Sequence, residues 1–143
     1  MSTTDLEPAR LTVRLGAIAA NYRTVQSLSH GAAVAGVVKA DGYGCGAPEA
    51  AKTLLAAGCD TFFVARLSEG VALRKTIREA RIFVLDGVQA QTVPVLVSHN
   101  LTPVLNSLDE IALWSDAAMK ARAEYAAAIH FDTGMHRLGL PHE

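Results

Sequence analysis

This sequence of 143 residues has little of what would mark several classes of protein. Its only two cysteines, Cys45 and Cys59, are too few and too irregularly spaced for a disulfide framework or a zinc site. No apolar run approaches the roughly 18 to 20 residues that a membrane span requires. The net charge of −1 leaves no basic stripe for nucleic acid. We therefore expect no metal, no nucleic acid and no membrane as partners, and a cytoplasmic location.

The start of the chain, residues 1–10, is polar and carries Asp5 and Glu7, so we expect neither a signal peptide nor a transit peptide. Half of all residues are hydrophobic and 19% are charged, which is typical of a soluble, well-packed globular protein. There is no low-complexity segment and no obvious linker. Residues 1–143 are therefore expected to form one unit.

The chain repeats one pattern, in which a short apolar run is followed by a turn and a longer amphipathic stretch. The run 33–38 is apolar throughout, which favours a strand buried on both faces, whereas 11–15 alternates like a half-exposed strand. The predicted strands are 11–15, 33–38, 61–65, 82–85, 101–105 and 127–131. The predicted helices are 17–29, 48–57, 69–80, 88–98 (shortened or bent by Pro94) and one opened by a capping box at Ser107 and Glu110.

Five buried strands alternating with helices predict an α/β fold with a parallel sheet. These patterns do not distinguish a doubly wound sheet from part of a (β/α) barrel. In both architectures ligands bind at the carboxyl ends of the strands. The residues that follow each predicted strand are therefore the candidates for function.

The first unusual strand end is a lysine, Lys39, followed by a glycine-rich turn that contains Tyr43. A strand-end lysine usually covers apolar surface with its stem while its ammonium group reaches water. A lysine held partly away from water can instead attack a carbonyl and form a Schiff base. The glycines allow close approach of the backbone to an anion, and a tyrosine hydroxyl can donate to a phosphate.

The same residues also fit a loose dinucleotide fingerprint, in which Gly42 and Gly44 precede a helix and Asp60 lies near the spacing of the ribose-binding acid. That acid should follow the second strand, whereas Asp60 precedes it. The second unusual strand end is the segment 129–139, where Arg137 stands on a turn framed by glycines. Its planar guanidinium suits a carboxylate or a phenolate, although an isolated arginine is more often simply exposed.

Together the segments Val-Val-Lys-Ala-Asp-Gly-Tyr-Gly (37–44) and Asp-Thr-Gly-Met-x-Arg-Leu-Gly (132–139) closely resemble the two sequence signatures of the alanine racemase family. The resemblance implies an N-terminal eight-stranded barrel that is followed by a mostly β C-terminal domain, in a homodimer. It also implies that this chain is the N-terminal part of the barrel. The leading strand 11–15 would then belong with the β domain.

By this resemblance, the chain contributes to interconversion of L-alanine and D-alanine, and so to D-alanine supply for peptidoglycan, with pyridoxal 5'-phosphate (PLP) as cofactor. Lys39 would form the Schiff base with PLP and act as the base on the Cα proton of D-alanine. Tyr43 would bind the cofactor phosphate. Arg137 would contact both the phenolic oxygen of PLP and the substrate carboxylate.

Two departures from the family pattern are visible. The position seven residues before the arginine, often a carbamylated lysine, is His130, which is either a neutral partner of Arg137 or a strand residue satisfied by its neighbours. The family's opposite-face base is a tyrosine of the partner subunit's C-terminal domain, and neither Tyr22 nor Tyr125 matches it. We therefore expect a fragment that does not racemise alanine alone.

Three alternatives remain open from the sequence. A PLP carrier with a related barrel would share the lysine strand without catalysis, although we would not expect it to contain the segment 132–139. A dinucleotide-binding module would use Gly42 and Gly44. A racemase that acts on serine or on a broader set of amino acids would share all of these residues.

Overall fold

The computed structural model describes residues 9–141, so the predictions for residues 1–8 lie outside the described part. The strands are β1 (Gly36–Val37), β2 (Thr61–Val64), β3 (Arg81–Val84), β4 (Thr102–Leu105) and β5 (Ala128–Ile129). The helices are α1 (Leu15–Leu28), α3 (Ala47–Ala56), α4 (Leu67–Arg74), α5 (Val93–Ser98) and α6 (Leu108–Ala121), and α2 (Lys39–Tyr43) is a single turn with a left-handed backbone. Among these residues no helix is both long and apolar enough to span a bilayer.

The five strands form one sheet in the order β1-β2-β3-β4-β5, and every neighbouring pair is parallel. Each strand therefore pairs with the next one along the chain. A doubly wound sheet reverses its strand order at a switch point, whereas a (β/α) barrel adds its strands in sequence. The observed order thus identifies the fold as part of a TIM-like barrel and resolves the ambiguity left by the sequence.

The hydrophobic core lies between the sheet and its helices. Alternate residues along each strand face opposite sides, and only one of the two sets is in the core cluster. The residues of that cluster that lie in a strand or directly after one are Val38, Phe62, Val64, Ile82, Val84 and Leu105. The helix residues packed on them include Tyr22, Leu54, Leu73, Leu96 and Trp114. All the longer helices therefore cover the same face.

The opposite face of the sheet carries a second row of apolar side chains. Val37, Phe63 and Phe83 are in register across β1, β2 and β3. The rings of Phe63 and Phe83 stack with their centroids 4.9 Å apart. Val37, at the edge, is 46% exposed. In a barrel this face is the interior.

Three of the strand predictions were wrong in part or whole. Residues 11–14 form no strand, α1 already begins at Leu15, and Leu11 is 81% exposed. A strand requires a hydrogen-bonding neighbour, and no segment between residues 9 and 141 pairs with this one. The run 33–38 contributes only the short β1, with one face open rather than both buried, and β5 is likewise shorter than the predicted 127–131.

The predicted helices occur at their expected places in the chain, but several differ from the prediction in length. The predicted helix 69–80 begins earlier, at Leu67, and ends at Arg74. The predicted helix 88–98 begins only at Val93, which places Pro94 in the first turn, where a missing N–H is tolerated. The capping prediction is confirmed at Ser107, whose Oγ accepts from the N–H of Glu110 at 3.2 Å. Glu110 reaches back one residue further than predicted, to the N–H of Asn106 at 2.7 Å.

Arg74 explains why α4 ends early. Its guanidinium donates hydrogen bonds of 2.6 to 3.1 Å to backbone carbonyls of two turns that precede β3 and β4. The acceptors belong to Ile77, Arg78, Ala80, His99 and Asn100. Continuing the helix would carry the carbonyls of Ile77, Arg78 and Ala80 out of reach, so hydrogen bonds to the side chain of Arg74 replace the last helical turns.

We expect Arg74→Met to lower the free energy of unfolding by about 2 to 3 kcal/mol, because several carbonyls lose a charged donor. Arg81→Met is the matched control. Arg81 pairs with Asp60 at 3.3 Å on the exposed surface, and such pairs contribute roughly 0 to 1 kcal/mol. Urea unfolding of both variants measures the difference. Equal losses in the two variants would contradict the role assigned to Arg74.

Candidate active site at the carboxyl ends of the strands

Lys39 lies at the carboxyl end of β1. The N–H of the preceding residue, Val38, still donates to the carbonyl of Phe63 at 3.0 Å, so the sheet extends to the lysine itself. Lys39 is half-buried. Within residues 9–141, no hydrogen bond or ion pair engages its amine. The amine is therefore available to a ligand.

The turn after Lys39 has a left-handed backbone over five consecutive residues. The φ angles are 51° at Ala40, 52° at Asp41, 64° at Gly42, 56° at Tyr43 and 82° at Gly44. This conformation costs L-residues roughly 1 to 2 kcal/mol each, and only two of the five are glycines. Backbone strain of this kind persists where surrounding contacts hold it, and it is concentrated at functional sites.

Two carboxylates hold this turn at its two ends. Glu69 Oε1 accepts from the N–H of Ala40 at 2.8 Å, and Asp41 Oδ1 accepts from the N–H of Ala47 at 2.8 Å. Burial would raise the pKa of Glu69, but the N–H groups of Arg66, Ala40 and Ala65 outweigh it and lower that pKa. Tyr43, at the far end of the turn, is 65% exposed, so its hydroxyl is accessible.

The second segment, residues 130–140, forms a closed loop beyond β5. Asp132 N donates to the carbonyl of Leu140, and Leu140 N donates to the carbonyl of His130, both at 2.8 Å. Gly139 has a φ of 105°, and a Cβ there would lie 2.9 Å from the nitrogen of Asp132. A glycine is therefore required where the loop closes. Arg137 is exposed on this loop.

Asp132 organises the loop that presents Arg137. Its Oδ1 accepts from the N–H groups of Gly134 and His136 at 3.0 Å each, and its Oδ2 lies 3.0 Å from Nδ1 of His136. These backbone donors, followed by the charge and hydrogen bond of the His136 imidazole, lower the pKa of Asp132 to about 2. Arg137 itself has no hydrogen bond or ion pair within residues 9–141.

His130 is oriented by a buried asparagine. The amide nitrogen of Asn106 donates to the carbonyls of Leu85 and Val104 at 3.1 and 3.0 Å, which leaves its Oδ1 as an acceptor. That oxygen lies 2.8 Å from Nδ1 of His130. Nδ1 must therefore carry the proton, and Nε2 of the neutral ring is left as an acceptor. His130 is thus satisfied at one nitrogen and available at the other.

Lys39 and Arg137 lie at the same end of the sheet, because β1 and β5 run parallel and both residues follow their strands. They lie at its two edges, and four interstrand spacings correspond to roughly 19 Å along the sheet. No hydrogen bond or ion pair joins them in the described part of the chain. Their roles toward a shared ligand stay predictions.

Other candidate residues lie at the opposite end of the sheet. Tyr22 is buried, and its hydroxyl lies 3.4 Å from the carbonyl of Val34, which precedes β1. Tyr125 packs on Trp114 before the start of β5. Asp60 precedes β2 and pairs with Arg81. The dinucleotide interpretation is therefore wrong in its geometry, because Asp60 and the turn at Gly42 lie at opposite ends of the sheet.

Comparison with known proteins shows which family these features belong to. The family described as alanine racemase, N-terminal domain, matches residues 13–143. The chain belongs to the alanine racemase N-terminal domain family. The alanine racemase of Methylobacterium nodulans is 46% identical over 140 residues, which are 98% of this chain and 38% of that protein. A catabolic alanine racemase of Agrobacterium fabrum is 46% identical over 134 residues, which are 93% of this chain and 34% of that protein.

Solved alanine racemase structures share this fold. The Bartonella henselae alanine racemase, described with covalently bound pyridoxal phosphate, superposes with a TM-score of 0.86 at 36% identity, over 90% of this chain and 38% of that one. The alanine racemase from E. faecalis superposes with a TM-score of 0.81 at 32% identity, over 98% of this chain and 38% of that one. The chain thus spans somewhat more than a third of the length of the alanine racemases that it matches.

Two residues of the site were missed by sequence reasoning, namely Glu69 and Asn106. Glu69 stands five residues after the last residue of β2, as Glu110 does after β4. The sequence analysis identified only Glu110 as a capping residue. The equal spacing of Glu69 from its own strand was a signal that could have identified Glu69 as well. Nothing in the sequence pattern indicated that Asn106 would contact His130.

The pKa of Asp132 predicts how the Arg137 loop responds to acid. Because the pKa in the folded chain, about 2, lies below the unfolded value of 3.8, the carboxylate stabilises the loop above about pH 4. This contribution is lost as the pH falls through about 2. We expect the carboxyl carbon of Asp132 to titrate near pH 2 by NMR. A midpoint near 4 would contradict the hydrogen bonds assigned here, and Asp132→Asn should remove the transition from the loop.

Proposed function

We propose that this chain is the cofactor-carrying N-terminal part of a PLP-dependent alanine racemase, which interconverts L-alanine and D-alanine and supplies D-alanine for peptidoglycan in the cytoplasm. The observation that carries the proposal is the unpaired amine of Lys39 at the carboxyl end of β1, followed directly by a strained left-handed turn. The name shared by the matching relatives, alanine racemase, supports the same conclusion.

The residues present suit PLP chemically. An aldehyde requires an amine, which Lys39 offers without a competing partner in residues 9–141. A phosphate requires a donor, which the exposed hydroxyl of Tyr43 provides. A phenolic oxygen and a carboxylate both suit the planar donor fork of Arg137. The alanine racemase of Bartonella henselae, described with covalently bound pyridoxal phosphate, is a structural relative of this chain.

When bound, PLP supplies an electron sink for the charge that develops at Cα as its proton leaves. In our proposal Lys39 Nζ would hold the cofactor until the amino group of the substrate displaces it, and the freed amine would then take the Cα proton of D-alanine. Arg137 binds the substrate carboxylate and the phenolic oxygen of the cofactor, which orients the Cα–H bond. Nε2 of His130, left as an acceptor by Asn106, is a candidate partner for the guanidinium of Arg137.

Racemisation also requires a second base on the opposite face of the substrate. The tyrosines other than Tyr43 lie toward the amino ends of the strands, so they do not supply it. We propose that this base comes from the C-terminal domain of a partner subunit, in a homodimer of the complete racemase. The chain spans 38% of the length of the Methylobacterium nodulans alanine racemase, which agrees with such a division.

The cofactor attachment is tested by borohydride reduction of the chain with PLP, followed by peptide mass mapping. We expect one reduced pyridoxyl adduct, on Lys39, and its loss in Lys39→Ala. Lys75→Ala is the matched control, because Lys75 is an exposed lysine outside the site, and it should keep the adduct. Labelling spread evenly over exposed lysines, in a chain shown to be folded by circular dichroism, would refute the proposal.

Catalysis is distinguished from simple cofactor carriage by exchange of the α-hydrogen of alanine in D₂O. We expect the complete polypeptide with PLP to exchange this hydrogen and Arg137→Lys to lose at least about tenfold in rate, because a point charge replaces a bidentate donor. Bound PLP without any exchange would favour a carrier protein instead.

A further inference from the structure

One carboxylate joins the two segments that follow β1 and β2 at their carboxyl ends. Glu69 Oε1 accepts from the N–H of Ala40, the residue that follows Lys39, at 2.8 Å. Glu69 Oε2 accepts from the N–H groups of Ala65 and Arg66, beyond β2, at 2.8 and 3.0 Å. The side chain therefore ties the turn after Lys39 to the start of α4. Ala40 and Glu69 are 29 residues apart in the sequence.

The same arrangement occurs a second time without a lysine turn. Glu110 stands at the same offset after β4, and its Oε2 accepts from the N–H of Asn106 at 2.7 Å. Its carboxylate lies against Gly87, beyond β3, where a Cβ would clash with it. The two glutamates thus stand at equivalent positions, but Glu110 accepts one backbone hydrogen bond where Glu69 accepts three, and only Glu69 contacts the turn that follows Lys39. This repetition provides an internal control.

The contact with Ala40 has a consequence for the direction of the lysine. Ala40 begins the left-handed run at a φ of 51°, which is unfavourable for an alanine. Later N–H groups of the turn bond within it, since Gly42 donates to the carbonyl of Val38 and Gly44 to that of Ala40. The N–H of Ala40 bonds instead to the carboxylate of Glu69. Hydrogen bonds to a charged acceptor are about twice as strong as neutral ones.

We propose that Glu69 is a positioning residue, whose carboxylate holds the left-handed turn at Ala40 and so presents the amine of Lys39 and the hydroxyl of Tyr43 in one fixed arrangement. The inference rests on the proposed function in one respect, namely that Lys39 carries the cofactor. Glu69 acts through the backbone and not by touching the cofactor.

The test compares Glu69→Gln with Glu110→Gln. A carboxamide has one acceptor oxygen, so glutamine at position 69 cannot accept from both Ala40 and the pair Ala65 and Arg66. We expect the amide of Ala40 to exchange with D₂O at least about tenfold faster in Glu69→Gln, since the loss of one charged hydrogen bond corresponds to that factor. This amide should be unchanged in Glu110→Gln. The measurement requires no cofactor.

The second readout is the rate at which PLP becomes reducible onto Lys39. We expect Glu69→Gln to slow this rate by about tenfold or more and Glu110→Gln to leave it within about twofold. This difference is expected even if urea unfolding shows that the two substitutions lower the free energy of unfolding equally. If glutamine prevents folding, Glu69→Asp replaces it. Aspartate keeps the charge at the start of α4, but it is one methylene too short to span both strands, so the same two effects are expected.

The outcomes separate the two proposals. If the unchanged protein takes no PLP at Lys39, the proposed function fails, while exchange at Ala40 still tests whether the carboxylate of Glu69 holds the turn. If the unchanged protein takes PLP and the two glutamine variants behave alike in both measurements, Glu69 is a stabilising residue and no more, and the inference is overturned. Faster exchange at Ala40 with an unaltered rate at Lys39 also overturns it, because the turn would then not position the amine.

Discussion

The parallel pairing of each strand with the next one along the chain is the constraint on which the rest of this structure depends. Sequential parallel order requires every connection to cross the sheet on the same side, so all the longer helices cover one face. The other face, with its stacked Phe63 and Phe83, becomes the barrel interior. The shared parallel direction brings the carboxyl end of every strand to one end of the sheet, where Lys39 and Arg137 lie beyond the two outermost strands.

The strand ends create a second requirement, because backbone N–H groups that leave a regular sheet must find other acceptors. Three carboxylates accept hydrogen bonds from such N–H groups, namely those of Glu69, Glu110 and Asp132. Their charge is directed to backbone donors rather than to the basic side chains of the site. Lys39 and Arg137 consequently have no anionic partner within residues 9–141, which agrees with the proposal that they bind an anionic cofactor and substrate.

Much of the local structure and the main candidate residues could be predicted from the chain because they depend on short-range patterns. Apolar runs located β2, β3 and β4 to within one or two residues. Lys39 and Arg137 were placed beyond their strands, because polar residues and glycines directly follow apolar runs there. The predicted strand 11–15 failed for the opposite reason, since alternation describes a strand only when a neighbour exists to pair with it.

By itself, then, the sequence determined where the five strands of the sheet and the longer helices lie and which strand ends carry an amine, a phenol and a guanidinium, because these depend on periodicity and on neighbours in the chain. Only the tertiary structure decided between barrel and doubly wound sheet, because strand order is a relation among distant segments. It also decided that Arg74 ends α4 early, that Asn106 orients His130, and that Glu69 holds the turn at Ala40. The contacts of Arg74 with the turn before β4, of Asn106 with His130 and of Glu69 with Ala40 each join residues more than twenty positions apart, and no local pattern records them.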